Sequence, residues 1–199
     1  MKDANKAQRH LAITQAAYRV LAEKGYSGTS MLSIARASKA SNETLYRWYG
    51  DKVGLFTRMV RDNAEDTCSM LQEALSKGED PQTALQSVAP VLLEMLLGDR
   101  AISLNRAAAS DASAELGKVI AQEGREKVGP LVTQVIEALA AQKGVDPQLA
   151  REWFFGLLIG DRQIRRVIGV MAQPSPNEIE QICASSLAAF LRFLDQSET

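Results

Sequence analysis

The chain has 199 residues, of which 46% are hydrophobic and 24% charged, a composition typical of a globular protein and not of a disordered or fibrous one. Its longest apolar run, Trp153 to Gly160, is too short for a membrane span of about 20 residues, and its charged N-terminus lacks the apolar stretch of a secretory signal, so we expect a cytoplasmic protein without a membrane partner. The net charge is −1, but residues 1–56 carry nine Lys and Arg against four Asp and Glu, and residues 57–199 carry fourteen against twenty. This asymmetry indicates a basic part that meets a polyanion, the alternative being chance unevenness in a helical protein.

Apolar residues recur at helical spacing along the chain, and no alternating β-branched run appears, so we predict an all-α protein of about nine helices. Ser30, Ser41 and Asp51 are natural N-caps for the second, third and fourth helices. A break or kink is expected at Gly129-Pro130. In chain order, the predicted helices cover about residues 6–24, 31–37, 42–49, 52–77, 81–97, 100–109, 112–143, 147–171 and 176–195.

Two short helices joined by the turn at residues 38–40 follow a longer helix within the basic part, which is typical of a helix-turn-helix. The second short helix of such a motif enters the DNA major groove. At about 100° per residue, with Leu45 as the buried direction, Tyr49 falls near the core and Glu43 and Arg47 point away from it. The motif therefore predicts an N-terminal DNA-binding domain of three helices.

The side chains available to DNA on this helix suit base recognition. Arg pairs bidentately with guanine, Asn with adenine, Glu with cytosine, and the Thr methyl group packs on thymine. The alternative is a solvent-exposed Glu43–Arg47 pair that stabilises the helix by about 0.2–0.5 kcal/mol. The predicted DNA-facing residues are Asn42, Glu43, Thr44, Tyr46 and Arg47.

Lys52 lies in the first turn of the fourth helix, where a cation opposes the helix macrodipole. A phosphate at that place would meet both the free backbone N–H groups and the ammonium group. By the same reasoning Thr29 and Ser30, at the start of the second helix, are expected to contact phosphates, and Tyr46 offers its hydroxyl to the DNA backbone.

Three stretches within about residues 8–56 resemble the TetR/AcrR family of bacterial transcriptional regulators. They are Thr29-Ser30-Met31-Leu32-Ser33-Ile34-Ala35, the segment from Ser41 to Lys52, and Leu55-Phe56. Lys39 departs from the family, whose turn usually has Gly there, and a side chain at that place favours a strained turn. The resemblance implies DNA contacts, mostly to phosphates, from Thr29, Ser30, Ser41, Asn42, Tyr46, Trp48 and Lys52.

Three further stretches, residues 104–109, Glu115-Leu116-Gly117 and Glu123-Gly124-Arg125, resemble the C-terminal domain of AcrR-type regulators. The resemblance implies that this domain dimerises through its last two helices and encloses a ligand pocket. Accordingly, residues 1–51 are expected to bind DNA and residues 52–199 to bind an effector and dimerise. Apolar stripes favour a dimer interface, although intrachain core is the alternative, at Phe155, Ile159, Ile182, Leu187, Phe190 and Leu191.

The pocket is expected among apolar side chains of the C-terminal part, for which plain core is the alternative. Arg106 is included because a buried guanidinium needs an anionic partner, although it could equally pair with Asp111 or Glu115. The candidate pocket residues are Met70, Leu92, Met95, Leu96, Ile102, Arg106, Trp153 and Phe154.

The sequence contains few of the residues and motifs that enzymes use for catalysis. His10 is the one histidine, Cys68 and Cys183 sit in no metal-type spacing, and no phosphate-binding Gly-rich loop occurs, so neither a metal, a cofactor nor a catalytic triad is expected. An all-α enzyme remains the remote alternative. We therefore predict a homodimeric repressor that binds a roughly palindromic operator and is released by an unknown small molecule; an activator or a ligand-independent regulator of the same fold is the nearer alternative.

Overall fold

The computed structural model describes residues 2–77 and 80–196, and over those ranges the chain forms helices and no strand. The all-α prediction is therefore confirmed. In chain order the helices are α1 Lys2–Lys24, α2 Met31–Ser38, α3 Asn42–Tyr49, α4 Lys52–Leu75, α5 Pro81–Leu97, α6 Asp99–Ala109, α7 Glu115–Ile120, a π-helical turn Ala121–Arg125, α8 Glu126–Gln142, α9 Pro147–Ile159, α10 Arg162–Val167 and α11 Pro176–Gln196.

Two of the predicted helices are divided in the structure. The segment 112–143 forms α7 and α8 with the π-helical turn between them, while Pro130 lies inside α8; the interruption thus falls before the expected Gly129-Pro130 site. The segment 147–171 forms α9 and α10 because Gly160 adopts a left-handed φ of 50° and ends α9. Glycine reaches that conformation at little cost, so it is a natural helix terminator.

The chain forms two compact units. The N-terminal unit consists of Met1–Asp62 and Ser103–Gly124. Its core contains apolar side chains from each of its helices, and burying each large one stabilises the fold by about 1.5–3 kcal/mol. The largest fully buried members are Phe56, Ile13, Ile34, Leu45, Leu55 and Met59.

The C-terminal unit consists of Asn63–Ile102 and Arg125–Thr199. In it α5, α8, α9 and α11 pack against one another in pairs. The Phe154 ring meets Phe155 and Phe190 edge-on at centroid distances of 5.4 and 5.5 Å, the arrangement that aromatic quadrupoles favour. The sequence marks the starts of α5 and α9, since Asp80 and Asp146 each accept backbone N–H bonds ahead of a proline at the first helical position.

The bounds of the compact units differ from the functional domains predicted at 1–51 and 52–199. Leu55, Phe56 and Met59 of α4 lie in the N-terminal core, and residues 103–124 belong to the same unit. A helix that carries apolar residues along its length is shared between cores, which sequence pattern alone does not reveal. The functional division stays a prediction.

Among the described residues, no helix combines the length and the apolar content needed to cross a bilayer.

Candidate DNA-binding surface and ligand cavity

Helix α3 is short, and hydrogen bonds from one side chain fix its start. Ser41 Oγ accepts the backbone N–H of Thr44 at 3.1 Å and lies 2.7 Å from the Thr44 hydroxyl, which is the N-cap predicted from the sequence. At the other end the N–H of Gly50 donates to Tyr46 O, with Gly50 at φ 78°. An eight-residue helix is marginal on its own, so these caps and the buried Leu45 hold it in place.

The polar face of α3 is open to solvent. The Glu43 and Arg47 side chains are 86% and 64% exposed and approach each other only to 4.0 Å, so their ion pair adds little to stability. Asn42 and Tyr46 are also exposed, while Thr44 is half-buried. The predicted base-reading residues therefore share one accessible surface, and the weak pair leaves both charges available to a partner.

Thr29 and Ser30 take different places at the start of α2. The Thr29 side chain is 4% exposed, and its hydroxyl donates to Gly25 O at 2.7 Å. The predicted phosphate contact from this hydroxyl is unavailable in this conformation, because its hydrogen is committed to the loop. Ser30 is exposed and forms a capping box with Ser33, accepting the Ser33 N–H at 3.1 Å. Its own O–H remains a donor for a phosphate.

Lys52 braces the loop that precedes α2. Its Nζ donates to Tyr26 O at 3.0 Å and to Thr29 O at 3.2 Å, and it lies 3.9 Å from the centroid of the Tyr26 ring. Two of its three N–H groups are therefore used within the chain. The sequence predicted the Lys52 charge at this surface. It did not predict the hydrogen bonds from Lys52 to the loop, because these depend on how the loop folds.

Lys39 forms the turn between α2 and α3. Its backbone is left-handed, at φ 53° and ψ 33°, and its N–H donates to the carbonyls of Ala35 and Arg36. The expected strain at this place is therefore present, because a side chain in the left-handed region costs about 1–2 kcal/mol. The turn that orients α3 forms despite that cost.

A chain of hydrogen bonds ties α3 to α1 and α4. His10 Nδ1 lies 2.8 Å from the Tyr49 hydroxyl, and His10 Nε2 lies 2.6 Å from Asp62 Oδ2. Asp62 also pairs with Arg58, whose Nε lies 2.7 Å from Oδ1. No local sequence pattern identifies these partners of His10, because they lie on separate helices and only the tertiary fold brings them together.

Burial and the nearby Asp62 carboxylate raise the pKa of Tyr49 to about 12, an effect that the Arg58 charge opposes. The neutral phenol is the form that this place favours, since a phenolate would be poorly solvated beside a carboxylate.

Trp48, which the resemblance assigned to DNA, is half-buried; its ring meets Tyr49 edge-on at 6.3 Å, and Lys6 Nζ lies 6.0 Å from its centroid.

The C-terminal unit contains an open cavity of about 450 Å³, a size typical of small-molecule sites. It lies among α4, α5, the start of α6 and the segment that leads into α11. Its polar lining residues are Asn63, Asp66, Thr67, Glu94, Arg100 and Gln173. Its apolar lining includes Met70, Val91, Met95, Leu97 and Ile179.

Of the eight predicted pocket residues, Met70 and Met95 line this cavity. Leu92, Ile102 and Phe154 are at most 4% exposed and belong to the buried interior, as the alternative reading of plain core had it. Leu96 and Trp153 are partly buried against the same core. These five were wrong as lining of this cavity, because helical spacing alone does not separate a cavity wall from the core behind it.

Among the residues that the structure describes, the buried guanidinium is that of Arg166, and the expectation of a buried Arg106 was wrong. Arg106 is exposed and belongs to the N-terminal unit. Arg166 is 6% exposed; its Nε donates to Leu97 O at 2.9 Å, one Nη to Met171 O at 3.2 Å and the other to Asp99 Oδ1 at 2.6 Å. Arg166 therefore fixes the end of α5, which supplies part of the cavity wall.

The predicted interface residues divide into two groups. Phe190 is fully buried and Leu187 is 7% exposed, so both pack within the chain and their assignment to a dimer contact was wrong. The others are half-buried on α9 and α11, with part of each side chain at the surface; they are Phe155, Ile159, Ile182 and Leu191.

The polar cavity residues were missed, although the sequence carries a signal for them. Asn63, Asp66, Thr67 and Met70 follow the i, i+3, i+4, i+7 spacing of one helix face, and Val91, Glu94 and Met95 repeat part of it on α5. A face that mixes polar with apolar residues at this spacing differs from the all-apolar stripe of a core helix, and it fits a cavity wall as well as the edge of a solvated surface.

Comparison with known families gives two matches that together cover most of the chain. Residues 13–59 match the family model of bacterial regulatory proteins of the tetR family. Residues 83–194 match the C-terminal domain of AefR-like transcriptional repressors, which alone is more than half of the sequence.

Individual relatives agree with these matches. A tetR-family transcriptional regulator structure from Mesorhizobium loti is 28% identical, with a TM-score of 0.75 over 94% of this chain and 96% of that one. The regulator FadR from Bacillus subtilis, solved with stearoyl-CoA, shares the fold at 16% identity and a TM-score of 0.69 over 90% and 96% of the two chains. The HTH-type regulator YdeS of Bacillus subtilis is 30% identical over 45% of this chain and 48% of its own length. The matched part of this chain thus spans less than half the length of the first curated relatives. These relatives are transcriptional regulators, not enzymes.

Proposed function

The chain belongs to the TetR family of DNA-binding transcriptional regulators, and from this we propose that it is a homodimeric repressor that a small-molecule effector releases from its operator in the cytoplasm. The observation that carries the proposal is the exposed polar face of α3, with Arg47 64% exposed above the buried Leu45. An exposed recognition helix within the basic part of the chain has the chemistry to read base edges in the major groove.

In the proposed complex, base-edge contacts from α3 give sequence selectivity. Asn42 and Arg47 read adenine and guanine, while Glu43 and Thr44 read the neighbouring pairs. Ser30, Ser41, Tyr46 and the remaining N–H of Lys52 contact phosphates, which fixes the position of the protein on DNA without reading sequence. The Thr29 hydroxyl serves the loop and not the phosphate.

Partly exposed apolar side chains on the last long helices support dimerisation. Phe193 is 43% exposed and stacks at 5.2 Å on Trp153, and the half-buried residues of α9 and α11 add to this apolar surface. Ile164, Ile168 and Val170 are 56–64% exposed on and after α10. Large apolar exposure of this kind favours association with a second chain. A two-fold dimer would read a roughly palindromic operator with half-sites spaced by whole helical turns.

Effector release is proposed as a population shift. A ligand that prefers a dimer with wrongly spaced recognition helices moves the equilibrium only as far as its affinities for the two forms differ. The AefR-like match supports the repressor role, and the FadR neighbour, which shares the fold and was solved with stearoyl-CoA, supports a C-terminal domain that takes a small molecule. The cavity in the C-terminal unit is the proposed effector site.

The test is fluorescence anisotropy of the full chain on labelled duplex from the DNA flanking its own gene and on a scrambled duplex, over a salt series. We expect tight, salt-dependent binding that favours the flanking duplex. Arg47→Ala should lower the discrimination by about 1–3 kcal/mol for one base pair. Lys24→Ala removes one exposed charge from α1 as the control and should weaken both duplexes alike. Equal binding of both duplexes, with selection from random duplexes also yielding no preferred site, contradicts the proposal.

A further inference from the structure

The cavity in the C-terminal unit has a chemical character that the family match does not assign. It is open to solvent, and its lining combines two carboxylates and one guanidinium with apolar side chains, several of them from the same helices. We propose that this cavity binds an amphipathic organic cation that has an N–H donor, with the charged group beside Glu94 and the apolar body against the methionines. The inference rests on the proposed function, since it names the effector class of that site.

The charges of the lining favour a cation. Arg100 Nη1 lies 3.3 Å from Asp66 Oδ2, so the guanidinium is matched by one carboxylate. Glu94 has no ion-pair partner within the part of the chain that the structure describes. The lining therefore has one negative charge in excess, and a cation at the cavity mouth gains Coulomb energy where an anion loses it.

The field of Glu94 also reaches the core behind the cavity. Burial raises the pKa of the Cys183 thiol to about 11, with the Glu94 charge as the second cause and Arg162 opposing it. Arg162 is directed elsewhere, because its Nη1 lies 3.3 Å from Leu158 O at the end of α9. Arg162, the cation that opposes Glu94 at the thiol, therefore bonds to the backbone of α9 and forms no ion pair with Glu94 among the described residues.

Thr67 adds a directional preference. Its side chain is 4% exposed, and its hydroxyl hydrogen is committed to Asn63 O at 2.8 Å. A hydroxyl has one donor and two acceptor sites, so what this buried group still offers to the cavity is oxygen lone pairs. A ligand with an N–H donor matches such a group, and one that presents only acceptors does not.

The apolar lining residues account for the apolar body of the ligand. Met70 is 50% exposed although it lies beside the buried Ile179 and Leu97. Met70 and Met95 have flexible, polarisable thioether side chains that adapt to an apolar body of irregular shape. Covering them would remove apolar surface from water, which adds to the electrostatic attraction.

A matched pair of xanthene dyes tests the proposal on the full chain. Rhodamine 6G is a cation with secondary amine N–H groups, and fluorescein is an anion on the same ring system. We expect rhodamine 6G to bind, by fluorescence anisotropy at low and physiological salt, and fluorescein to bind at least tenfold more weakly. Added salt should weaken rhodamine binding, since the carboxylates are exposed.

Three variants separate the charge effect from adsorption to apolar surface. Glu94→Gln should weaken rhodamine 6G binding roughly three- to fivefold, the upper part of the range expected for an exposed ion pair. Glu180→Gln removes the same charge from an exposed place on α11 outside the lining and should leave the affinity within twofold. Arg100→Gln leaves Asp66 unpaired and should tighten rhodamine binding. Tighter binding of fluorescein, or a rhodamine affinity equal in Glu94→Gln and the unaltered chain, overturns the proposal.

The same samples distinguish this inference from the proposed function. If rhodamine 6G binds in a Glu94-dependent way but operator affinity stays constant at saturating dye, the cation site stands and the ligand-responsive function fails. If operator affinity responds to other small molecules while no cationic dye binds, the function stands and the cation inference fails.

Discussion

Different interactions position the helices inside each of the two compact units. In the N-terminal unit, side-chain hydrogen bonds add to the apolar core in setting the helix positions: His10 connects Tyr49 to Asp62, and Lys52 binds the loop before α2. In the C-terminal unit an apolar core does most of this work, with Arg166 as its buried cation. Short recognition helices expose their polar residues and bury little apolar area, so directional bonds must place them; long helices that pack along their length do not need them.

The largest effect expected from this comparison concerns Arg166, the buried cation in the otherwise apolar core of the C-terminal unit. Arg166→Ala leaves Leu97 O and Met171 O without their donor inside the protein, and each unsatisfied buried group costs about 1–3 kcal/mol. We expect a loss of about 2–4 kcal/mol in the free energy of unfolding, measured by urea denaturation at fixed protein concentration.

Arg165→Ala is the control for this substitution. Its neighbouring guanidinium is exposed and lies 3.9 Å from Asp161, so its removal should change stability by less than about 0.5 kcal/mol. Equal losses in the two variants would show that the buried arginine has no special place in the C-terminal unit.

The next test concerns the polar chain of the N-terminal unit, that is, the hydrogen-bonded side chains of His10, Tyr49 and Asp62. His10→Ala removes both links from α1 and should destabilise the chain by about 1–2 kcal/mol, at about 0.5–1.5 kcal/mol for each hydrogen bond. Because the Tyr49 end of α3 loses its support, operator affinity should fall as well. Gln15→Ala, an exposed position on the same helix, serves as the control.

A double-mutant cycle isolates the His10–Tyr49 contact. The variants His10→Ala and Tyr49→Phe, alone and combined, should show a coupling energy above about 0.5 kcal/mol, as residues in direct contact usually do. Additive effects would mean that the hydrogen bond contributes nothing and that the comparison between the units rests on packing alone.

The same contrast explains how far sequence reasoning reaches. The caps at Ser30 and Ser41 and the buried direction of Leu45 were predictable because they depend on residues a few positions apart. The partners of His10 lie 39 and 52 residues away, so no local pattern identifies them. The prediction of the cavity lining failed for a related reason, since α4, α5 and the segment before α11 each contribute one part of the cavity wall.

The turn before α3 offers a smaller change that should stabilise the protein. Lys39 has a left-handed backbone, and Lys39→Gly removes the clash of its Cβ while making the unfolded chain more flexible. We expect a net gain of up to about 1 kcal/mol in the free energy of unfolding. Lys39→Ala keeps the Cβ and removes the charge, so it should give no gain; an equal gain in both would assign the effect to charge.

The last expected effect is in the pH dependence of the N-terminal unit, and it appears only in strongly alkaline solution. The pKa of Tyr49 is raised to about 12 from the ordinary value of 10.0, so the folded chain holds this proton more tightly than the unfolded chain does. The resulting stability is fully present below about pH 10 and is lost as the pH rises towards 12. Urea unfolding across that range should therefore show a shallower decline for Tyr49→Phe than for the unaltered chain. Tyr46→Phe removes a phenol that is 50% exposed on the same helix and should leave the decline unchanged. Identical slopes in all three proteins would mean that the environment built by His10 and Asp62 does not distinguish the two forms of the phenol, and that the polar chain acts through geometry alone.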